Sequence, residues 1–519
     1  MSLPRVITES LGGSKLSQAM QRGEIAGIEA PWPTTPDAWK QRAVAAHGRV
    51  GSAWLDALSP AFGSTAAIPA LVRAAKNGVV VTTGQQAGLF GGPMLTLVKA
   101  LSARAFAAAI ERATGLPCAT VFWAATDDAD FAEAASVLIP GTGAARTLSL
   151  TVAPPAGTPM SRAAIQNVDP LLDAMASVAG SAGDAGIEAL RRCYRDGETI
   201  GGAYLTFMRE MLAPWDIAVL DASHSAVLAA ALPVTQKALE RSAEIERKLG
   251  KWNEDLEKSG LKAQVEQVTG LSLVFANEQG LKRRIPIAET TAALKAAMPL
   301  SPNVLLRPIV EASILPTVAY AAGPGEIAYF AQIPPIADAL GVPRPVAVPR
   351  WSTTIVEPSI DRILDRYGLT IDQLKDFDGL LTQLVRARAP SDVKQPLTDL
   401  RAEIDRAATA LTNSAGRHRI DSKIIDGIQA QLALRLERGE RRIIAALKRN
   451  EEELRRDLGT ARASLFPDGV RQERALSFVP FLARYGVPLV EEMLVAAGMH
   501  ADRLVGAARP ESAPVAAHR

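Results

Sequence analysis

Cysteine, histidine and surplus charge are all scarce in this chain of 519 residues. Two cysteines, Cys118 and Cys193, are too few for a disulfide framework, and the five histidines fall in no metal-binding spacing. A formal charge of only +2 argues against the basic surface that nucleic-acid binding favours. We therefore expect reduced thiols, no metal held by the protein alone and no nucleic-acid partner.

Long apolar runs are missing as well. No stretch approaches the roughly 18 apolar residues of a membrane span, and the amino terminus, MSLPRVITES, lacks a basic segment followed by an apolar one. Hydrophobic residues make up 48% and charged residues 22%, which is typical of folded globular chains. The sequence predicts a cytoplasmic protein without a membrane partner, with two or three domains or one large core and an appended element.

Short apolar runs alternate with helical patterns before the carboxyl-terminal third. The β-branched run Val79–Thr83 leads through a glycine-rich turn to Pro93, which we expect to open an alanine-rich helix. Four later strands are predicted, ending near Ala125, around Asp216–Asp221, over Thr317–Ala321 and ending at Arg350. Strands that alternate with helices predict an α/β fold around a parallel sheet.

Beyond Asp376 the pattern becomes helical. Spacings of three and four, typical of a coiled-coil seam, separate Leu397, Leu400, Ile404, Ala407 and Leu411. A break at TNSAGRHRID and a second helix with similar periodicity predict an antiparallel helical hairpin.

The domain prediction follows from these patterns. We expect an α/β core over 1–375, a coiled-coil arm over 376–466, helices over 467–505 that pack on the core, and a disordered tail over 506–519. Inside the core, pieces rich in Gly, Ala and Ser suggest an insertion around 148–202. Two β runs joined by a turn suggest a hairpin around 271–287.

A glycine-rich turn, TTGQQAGLFGGP, follows the first strand. Glycines such as Gly84, Gly88 and Gly92 let a backbone approach a ligand, and free amides at the start of the next helix favour an anion. Gln85 and Gln86 add amide groups suited to the hydroxyls of a sugar or ribose. A ligand site is the functional interpretation, and a tight strand-to-helix turn is the structural one.

Acidic residues follow the second strand directly. Asp127, Asp128 and Asp130, with Glu133 one turn later, would lie beside the glycine-rich turn if the two strands are neighbours. Clustered carboxylates can hold magnesium or act as a base toward an amine. Alternatively, Asp128 or Asp130 only caps a helix whose N-terminus favours acidic residues.

Later strands add further candidates. Gly323 and Gly325 bracket a turn before Glu326, which either faces a ligand or only complements a helix dipole. Arg350, at a strand end, has a guanidinium fork suited to a carboxylate or a phosphate. The two cysteines lie in apolar or helical contexts without a nearby histidine, so we expect neither to be a nucleophile.

Several blocks, in order across nearly the whole chain, resemble a known family. They are GQQAGLFGGP with Lys99 downstream, FWAATDDADFAE, RPIVEASILPTVAYAAGPGEIAYF, VPRWSTTIVE and QERALSFVPFLARYG. Together they resemble the cysteine ligase family of bacillithiol biosynthesis, BshC. The resemblance implies a Rossmann-like core similar to the catalytic domain of class I aminoacyl-tRNA synthetases, with connecting insertions and a coiled-coil arm that mediates homodimerisation.

The resemblance also implies an activity, the addition of L-cysteine to the amine of glucosaminyl-malate through an amide bond. Residues that match the family blocks are Gly84, Gln85, Gln86, Gly88, Asp128, Asp130, Gly323, Pro324, Glu326 and Arg350. Amide formation from a free carboxylate needs activation, so we expect ATP and magnesium, with the nucleotide at the turn over 84–92. One of the three aspartates would then be the base, and Arg350 would pair with a malate carboxylate.

Two departures from the family pattern leave alternatives open. Ala129 stands where the family has a histidine, and Glu311 and Ala312 stand where the family has a glutamine and an acidic residue. Losing an imidazole removes the side chain best suited to proton transfer near neutral pH. The chain could instead be a non-catalytic or divergent paralogue that binds nucleotide or sugar ligands and dimerises, or a ligase with another amino acid or amine acceptor.

Overall fold

The computed structural model of the chain describes residues 2–180, 184–296 and 298–506. The disordered tail predicted for 506–519 lies outside these ranges apart from its first residue. The chain forms two compact units. The larger comprises the residues up to Ile139, Arg146–Val356 and the residues from Arg471 onward, and the smaller comprises Pro140–Ala145 and Glu357–Val470. The predicted domain bounds stay predictions, since compactness alone does not define a domain.

The described strands, in chain order, are β1 (Arg5–Thr8), β2 (Val79–Gln86), β3 (Cys118–Ala125), β4 (Ser136–Ile139), β5 (Arg146–Ser149), β6 (Ile217–Asp221), β7 (Leu271–Glu278), β8 (Leu281–Pro286), β9 (Leu300–Pro302), β10 (Thr317–Ala322), β11 (Ala347–Pro349) and β12 (Thr353–Val356).

The described α-helices of the larger unit are α1 (Lys15–Arg22), α2 (Pro36–Val50), α3 (Trp54–Phe62), α4 (Ile68–Asn77), α5 (Leu95–Thr114), α6 (Phe131–Ala134), α7 (Asp169–Ala179), α8 (Asp184–Cys193), α9 (Ile200–Leu212), α10 (Ser225–Glu240), α11 (Ser242–Lys258), α12 (Thr290–Lys295), α13 (Arg307–Ile314), α14 (Pro324–Phe330), α15 (Pro334–Leu340), α21 (Gln472–Ala475) and α22 (Val479–Val505). Those of the smaller unit are α16 (Pro358–Tyr367), α17 (Phe377–Arg388), α18 (Ser391–His418), α19 (Ser422–Asn450) and α20 (Glu452–Leu465).

A five-stranded parallel sheet lies at the centre of the larger unit, in the order β11–β10–β2–β3–β6. The first residues of β2, Val79–Val81, are completely buried, as expected for a central strand whose two faces are both covered. Helices α3 and α4 share a hydrophobic core with β3 and β6, and α5 packs against β2 and β3. The predicted α/β fold with a parallel sheet is confirmed.

The start of α5 differs from the prediction. The helix begins at Leu95 rather than at Pro93, after a short 3-10 turn over Leu89–Gly91. Gly91 and Gly92 both adopt positive φ, which interrupts the helical path. A β-carbon on Gly91 would lie 2.7 Å from the Phe478 ring and 2.9 Å from the Phe207 ring. This glycine therefore serves close packing of the turn.

The predicted hairpin is confirmed and is part of a larger sheet. Strands β7 and β8 pair antiparallel, and Gln279 and Gly280 turn the chain between them with positive φ. Strand β9 pairs with the other edge of β7, which gives a three-stranded antiparallel sheet in the order β8–β7–β9. No helix in the described ranges is both long and apolar enough to cross a bilayer.

The smaller unit is helical. Helices α18 and α19 pack as a hairpin, in which Arg419 ends α18 in the left-handed conformation and the side chain of Asp421 caps α19. The contact between the two helices differs from the predicted seam. Ala408, Ala415 and Ile425 form its buried cluster, whereas the predicted seam residues Leu400 and Leu411 are each 50% exposed.

Candidate active site

The carboxyl ends of three neighbouring strands open into one cavity of the larger unit. Strand β2 lies between β10 and β3, and its last residues, Gln85 and Gln86, pair with Ala124 and Ala125 of β3. Because all three strands are parallel, the segments that follow them emerge at the same edge of the sheet. They line a cavity of about 740 Å³, the size of a small-molecule site.

The structure brings together most of the residues that the sequence singled out. Those that line the cavity are Gly84, Gln85, Gln86, Asp127, Asp128, Gly323, Gly325, Glu326 and Arg350. The side-chain amide of Gln86 donates a hydrogen bond to Asp128 Oδ2, so the first two loops are in direct contact. Lining residues that the motif analysis left out include Phe275, Lys282 and Arg284.

The later part of the glycine-rich turn is occupied by protein contacts. The buried Tyr194 hydroxyl donates to the Gly88 carbonyl at 2.9 Å and accepts from the Gly91 amide at 3.1 Å. At the start of α5, the amide of Met94 donates to the Leu476 carbonyl at 2.7 Å. Gly88 and Gly92 are not among the described residues that line the cavity. Protein contacts thus account for this part of the turn, and Gly84–Gln86 is the part that lines the cavity.

The three aspartates of the second loop have different environments. Asp127 Oδ2 accepts from the Lys282 ammonium at 2.9 Å, and Asp128 Oδ1 accepts from the amide of Ala129 at 2.7 Å. Asp130 accepts from the amide of Glu133 at 3.1 Å and is thus the N-cap of α6. Asp127 and Asp128 face the cavity, while the helix-cap alternative describes Asp130.

Glu133, at the cavity lining, is a carboxyl group with a displaced pKa. Desolvation and the neighbouring carboxylates of Asp130 and Asp128 raise the pKa of Glu133 above its ordinary value. A carboxyl group with a raised pKa is better matched to proton transfer near neutral pH than an ordinary one.

A buried lysine joins the first and third loops. The Lys99 ammonium, on α5, donates to the Gly84 carbonyl, to Gln85 Oε1 at 3.2 Å and to Glu326 Oε1 at 2.8 Å. An ammonium has three N–H groups, so these contacts use all of them. Lys99 therefore fixes the side chain of Gln85. Its signal in the sequence is a lone lysine inside the apolar run LTLVKALSARAF, since buried lysines are rare unless paired.

Around Lys99 lies a group of paired charges, which we call the inner network: Lys99, Arg307, Glu311, Tyr320, Glu326 and Tyr329. Arg307 forms an ion pair with Glu311 at 2.8 Å and donates to the Tyr329 hydroxyl at 2.6 Å. The Tyr320 hydroxyl donates to Glu326 Oε1 at 2.6 Å. Each of the four charged groups in the network has a partner of opposite charge.

The network sets the ionisation of its carboxyl groups. Burial alone would raise the pKa of Glu326, but the Lys99 ammonium and hydrogen bonds from Tyr320 and Gly323 outweigh it and lower that pKa. For Glu311 burial dominates, and the pKa is raised despite Arg307. The lowered pKa keeps Glu326 ionised as a carboxylate. It also accepts a hydrogen bond from the Gly323 amide at 2.7 Å and so caps α14.

Comparison with known proteins assigns the chain. The model of the bacillithiol biosynthesis BshC N-terminal Rossmann-like domain matches residues 56–351, and that of the BshC C-terminal coiled-coil domain matches residues 353–501. The chain belongs to the BshC family. It is 33% identical over 455 residues to the "Putative cysteine ligase BshC" of Solibacter usitatus, covering 81% of this chain and 83% of the relative. It is 28% identical to the protein of the same name from Koribacter versatilis, over 84% and 85% of the two chains.

Membership confirms the Rossmann-like core and shows that the chain is an enzyme, since the relatives in this family are named ligases. The structure also shows where the two positions lie at which this chain departs from the BshC family pattern. Ala129 lines the cavity between Asp128 and Asp130, so the position of the family histidine faces the candidate site. Glu311 is buried in the inner network, where it pairs with Arg307 of the cavity lining.

Arg350 lines the cavity in this BshC family member and also has a protein partner that the sequence did not indicate. Its guanidinium forms a two-pronged ion pair with Glu473, at 2.7 and 3.0 Å, and both side chains are buried. Burial alone would raise the pKa of Glu473, but Arg350 and Ser352 outweigh it and lower it. The fork that was expected to bind a malate carboxylate is already filled. Sequence reasoning missed Glu473 because the contact joins residues far apart in the chain.

Three residues of the β7–β8 hairpin also line the cavity. Phe275, Lys282 and Arg284, which we call the hairpin face, all line it. Side chains alternate along a strand, so Lys282 and Arg284 share one face of β8 while Arg283 lies on the other. Arg283 pairs there with Glu278 at 2.7 Å and Glu289 at 3.0 Å.

The cysteines behave as structural residues. Both are free thiols and both are buried. Burial raises the pKa of Cys193 to about 11 and raises the pKa of Cys118 further. Because the thiolate is the reactive form, neither is suited to nucleophilic catalysis.

Proposed function

We propose that the chain is a ligase that joins L-cysteine to the amine of glucosaminyl-malate and so forms bacillithiol. The observation that carries the proposal is the cavity at the ends of β2, β3 and β10. There, carboxylates, an amide pair and cations surround a space large enough for two small substrates. The relatives named cysteine ligases support cysteine as the amino acid.

ATP with magnesium is proposed to activate the cysteine carboxylate. The cavity lining carries six basic side chains, Lys99, Lys282, Arg284, Arg307, Arg350 and Arg474, against four acidic ones, Asp127, Asp128, Glu133 and Glu326. Arg307 and Arg350 are paired with the buried Glu311 and Glu473, so the charge that favours an anionic ligand, such as a phosphate or a carboxylate, is that of cations like Arg284, which has no counterion among the described residues. Magnesium bound to a nucleotide needs only one or two protein carboxylates, and Asp127 would supply one. The Gly84–Gln86 segment would contact the nucleotide through its backbone and amide side chains.

The attacking amine must be neutral, so the reaction needs a group that accepts its proton. Asp130 caps helix α6 and is therefore already hydrogen-bonded. Asp127 forms an ion pair with the Lys282 ammonium, which leaves its carboxylate less available as a proton acceptor. Asp128 and Glu133 are the better candidates. We propose Glu133 as the proton acceptor because its raised pKa brings it closer to that of the amine, and Asp128 as the residue that orients the amine.

The arm is proposed to hold two copies together as a homodimer. Leu400 and Leu411 of α18, and Ile424, Ile428 and Leu432 of α19, are each between 44% and 58% exposed in the single chain. Apolar residues at coiled-coil spacing that stay about half exposed in their own hairpin are suited to a second copy. Replacing Leu400 and Leu411 by glutamate should convert a dimer to a monomer in analytical ultracentrifugation, and an unchanged mass would contradict this proposal.

A second candidate function is that of a paralogue that binds the ligands without turnover. Ala129 favours it, because a methyl group replaces the family imidazole at the cavity. We also propose that the protein acts in the cytoplasm, where its two free thiols would stay reduced.

The deciding experiment is a turnover assay of the purified chain with cysteine, glucosaminyl-malate, ATP and magnesium, with thiol products separated by mass spectrometry. We expect bacillithiol together with ADP or AMP, and the nucleotide released tells which phosphate bond is used. An Ala129→His variant serves as the matched comparison. Product from the variant alone, with ligand binding by both proteins, would support the non-catalytic paralogue and contradict the ligase.

A further inference from the structure

Arg284 lies on the cavity wall and has no counterion among the residues that the structure describes. Its Nε donates to the Ser272 carbonyl at 2.7 Å, which anchors the side chain. Within the described ranges, its two Nη groups form no hydrogen bond and no ion pair. Partial burial lowers the pKa of Arg284, and no acidic neighbour offsets that effect. A half-buried guanidinium in this state gains from binding an anion.

Two further side chains, Lys282 and Phe275, accompany Arg284 on the same face of the hairpin. Lys282, two residues along β8, lies on the same face, with its ammonium 5.0 Å from the centre of the Phe275 ring. Phe275 is the cross-strand partner of Arg284, so the two side chains share one face of the hairpin. The Lys282 charge is matched by Asp127, whereas that of Arg284 is not.

We propose that the hairpin face binds an anionic group, a carboxylate or a phosphate, of a substrate in the cavity, with Arg284 as its main contact. The two free Nη groups would donate a pair of hydrogen bonds to it. The inference rests on the proposed function only in the choice of probes, L-malate for a carboxylate and ATP for a phosphate.

The test is isothermal titration calorimetry of the full-length chain with L-malate and, separately, with ATP and magnesium. We expect Arg284→Gln to weaken one of the two by about tenfold or more, because one charged hydrogen-bonding pair is lost. The probe that is affected identifies the source of the anion. Arg283→Gln is the matched control on the opposite face of the same strand, and its affinities should stay within about twofold of the unmodified protein.

Arg284→Lys keeps the charge without the fork and should give an intermediate affinity, which guards against misfolding of the glutamine variant. Equal binding of both probes by Arg284→Gln and the unmodified protein would overturn the proposal. So would the absence of saturable binding of either probe to the unmodified protein. Neither outcome depends on turnover, so failure of the ligase proposal would be seen separately, as a lack of thiol product in the assay.

Discussion

The inner network, apart from Glu311, lines the same cavity as the hairpin face. The two regions differ in whether their charged side chains have partners of opposite charge. In the inner network, Lys99 and Arg307 each meet a carboxylate within 2.8 Å. On the hairpin face, Arg284 has no such partner in the described residues. Breaking a buried network in which every charge is paired costs free energy, so such a network keeps its geometry. A partly buried cation without a counterion is instead stabilised when it binds an anion. The difference agrees with the proposal that the hairpin face binds an anionic group, while the inner network holds the shape of the site.

The largest effect is expected where a buried pair is broken. Glu473→Gln leaves the Arg350 charge buried without a counterion and should lower the free energy of unfolding by about 3–5 kcal/mol. The exposed pair Arg366–Glu453 provides the control, since Glu453→Gln should cost at most about 1 kcal/mol. Urea unfolding followed by tryptophan fluorescence measures both, and equal losses in the two variants would contradict the comparison.

The same variant has an expected pH dependence. The pKa of Glu473 in the folded chain lies below its ordinary value of 4.5. A lowered folded-state pKa contributes stability that is fully present above the unfolded value and is lost as the pH falls through the folded one. The stability gap between the unmodified protein and Glu473→Gln should therefore be widest near neutral pH and should narrow below about pH 4.5.

Glu133→Gln should reduce kcat by about a hundredfold if Glu133 accepts the proton of the amine. Because the pKa of Glu133 is raised, the unmodified enzyme should lose activity as the pH falls through that raised value, and the variant should lack this step. Asp130→Asn, which keeps a helix cap, is the control. A pH–rate profile with the same acidic limb in Glu133→Gln would exclude the role.

Lys99→Met should cost about 2 kcal/mol of stability, because Glu326 loses its cation but keeps hydrogen bonds from Tyr320 and Gly323. It should also raise the KM for ATP, since Gln85, which is proposed to contact the nucleotide, loses its anchor. The double variant Lys99→Met with Glu326→Gln removes both charges and should recover part of the stability but not the activity. Recovery of both would show that Lys99 only neutralises Glu326.

The smallest effect on stability is expected on the hairpin face. Arg284→Gln breaks no ion pair in the described residues and removes a partly desolvated charge, so the free energy of unfolding should change by no more than about 1 kcal/mol. Thermal unfolding of this variant beside Lys99→Met measures the contrast. If Arg284→Gln lowered the free energy of unfolding as much as Lys99→Met does, the hairpin face would stabilise the fold in the same way as the inner network.

Much of the candidate site could be anticipated from chain pattern. Apolar β-branched runs followed by glycine or acidic residues located Gly84–Gln86, Asp127 and Asp128, because the carboxyl ends of neighbouring parallel strands meet at one edge. Gly88, Gly92 and Asp130 were harder, since the same residue types also serve turns and caps. A local sequence pattern does not distinguish a glycine that faces a ligand from one that packs against side chains. Gly91 is of the second kind, because it packs against the rings of Phe207 and Phe478.

Local sequence alone determined the alternation of strands and helices, the hairpin over 271–287 and the helical character beyond residue 376, because periodicity and turn residues act over a few positions. Only the tertiary structure decided which charges are matched. Arg350 meets Glu473, Lys99 meets Glu326 and Lys282 meets Asp127 across separations of 123, 227 and 155 residues. Such pairs depend on how the chain folds back in space, and that arrangement also leaves Arg284 without a counterion among the described residues.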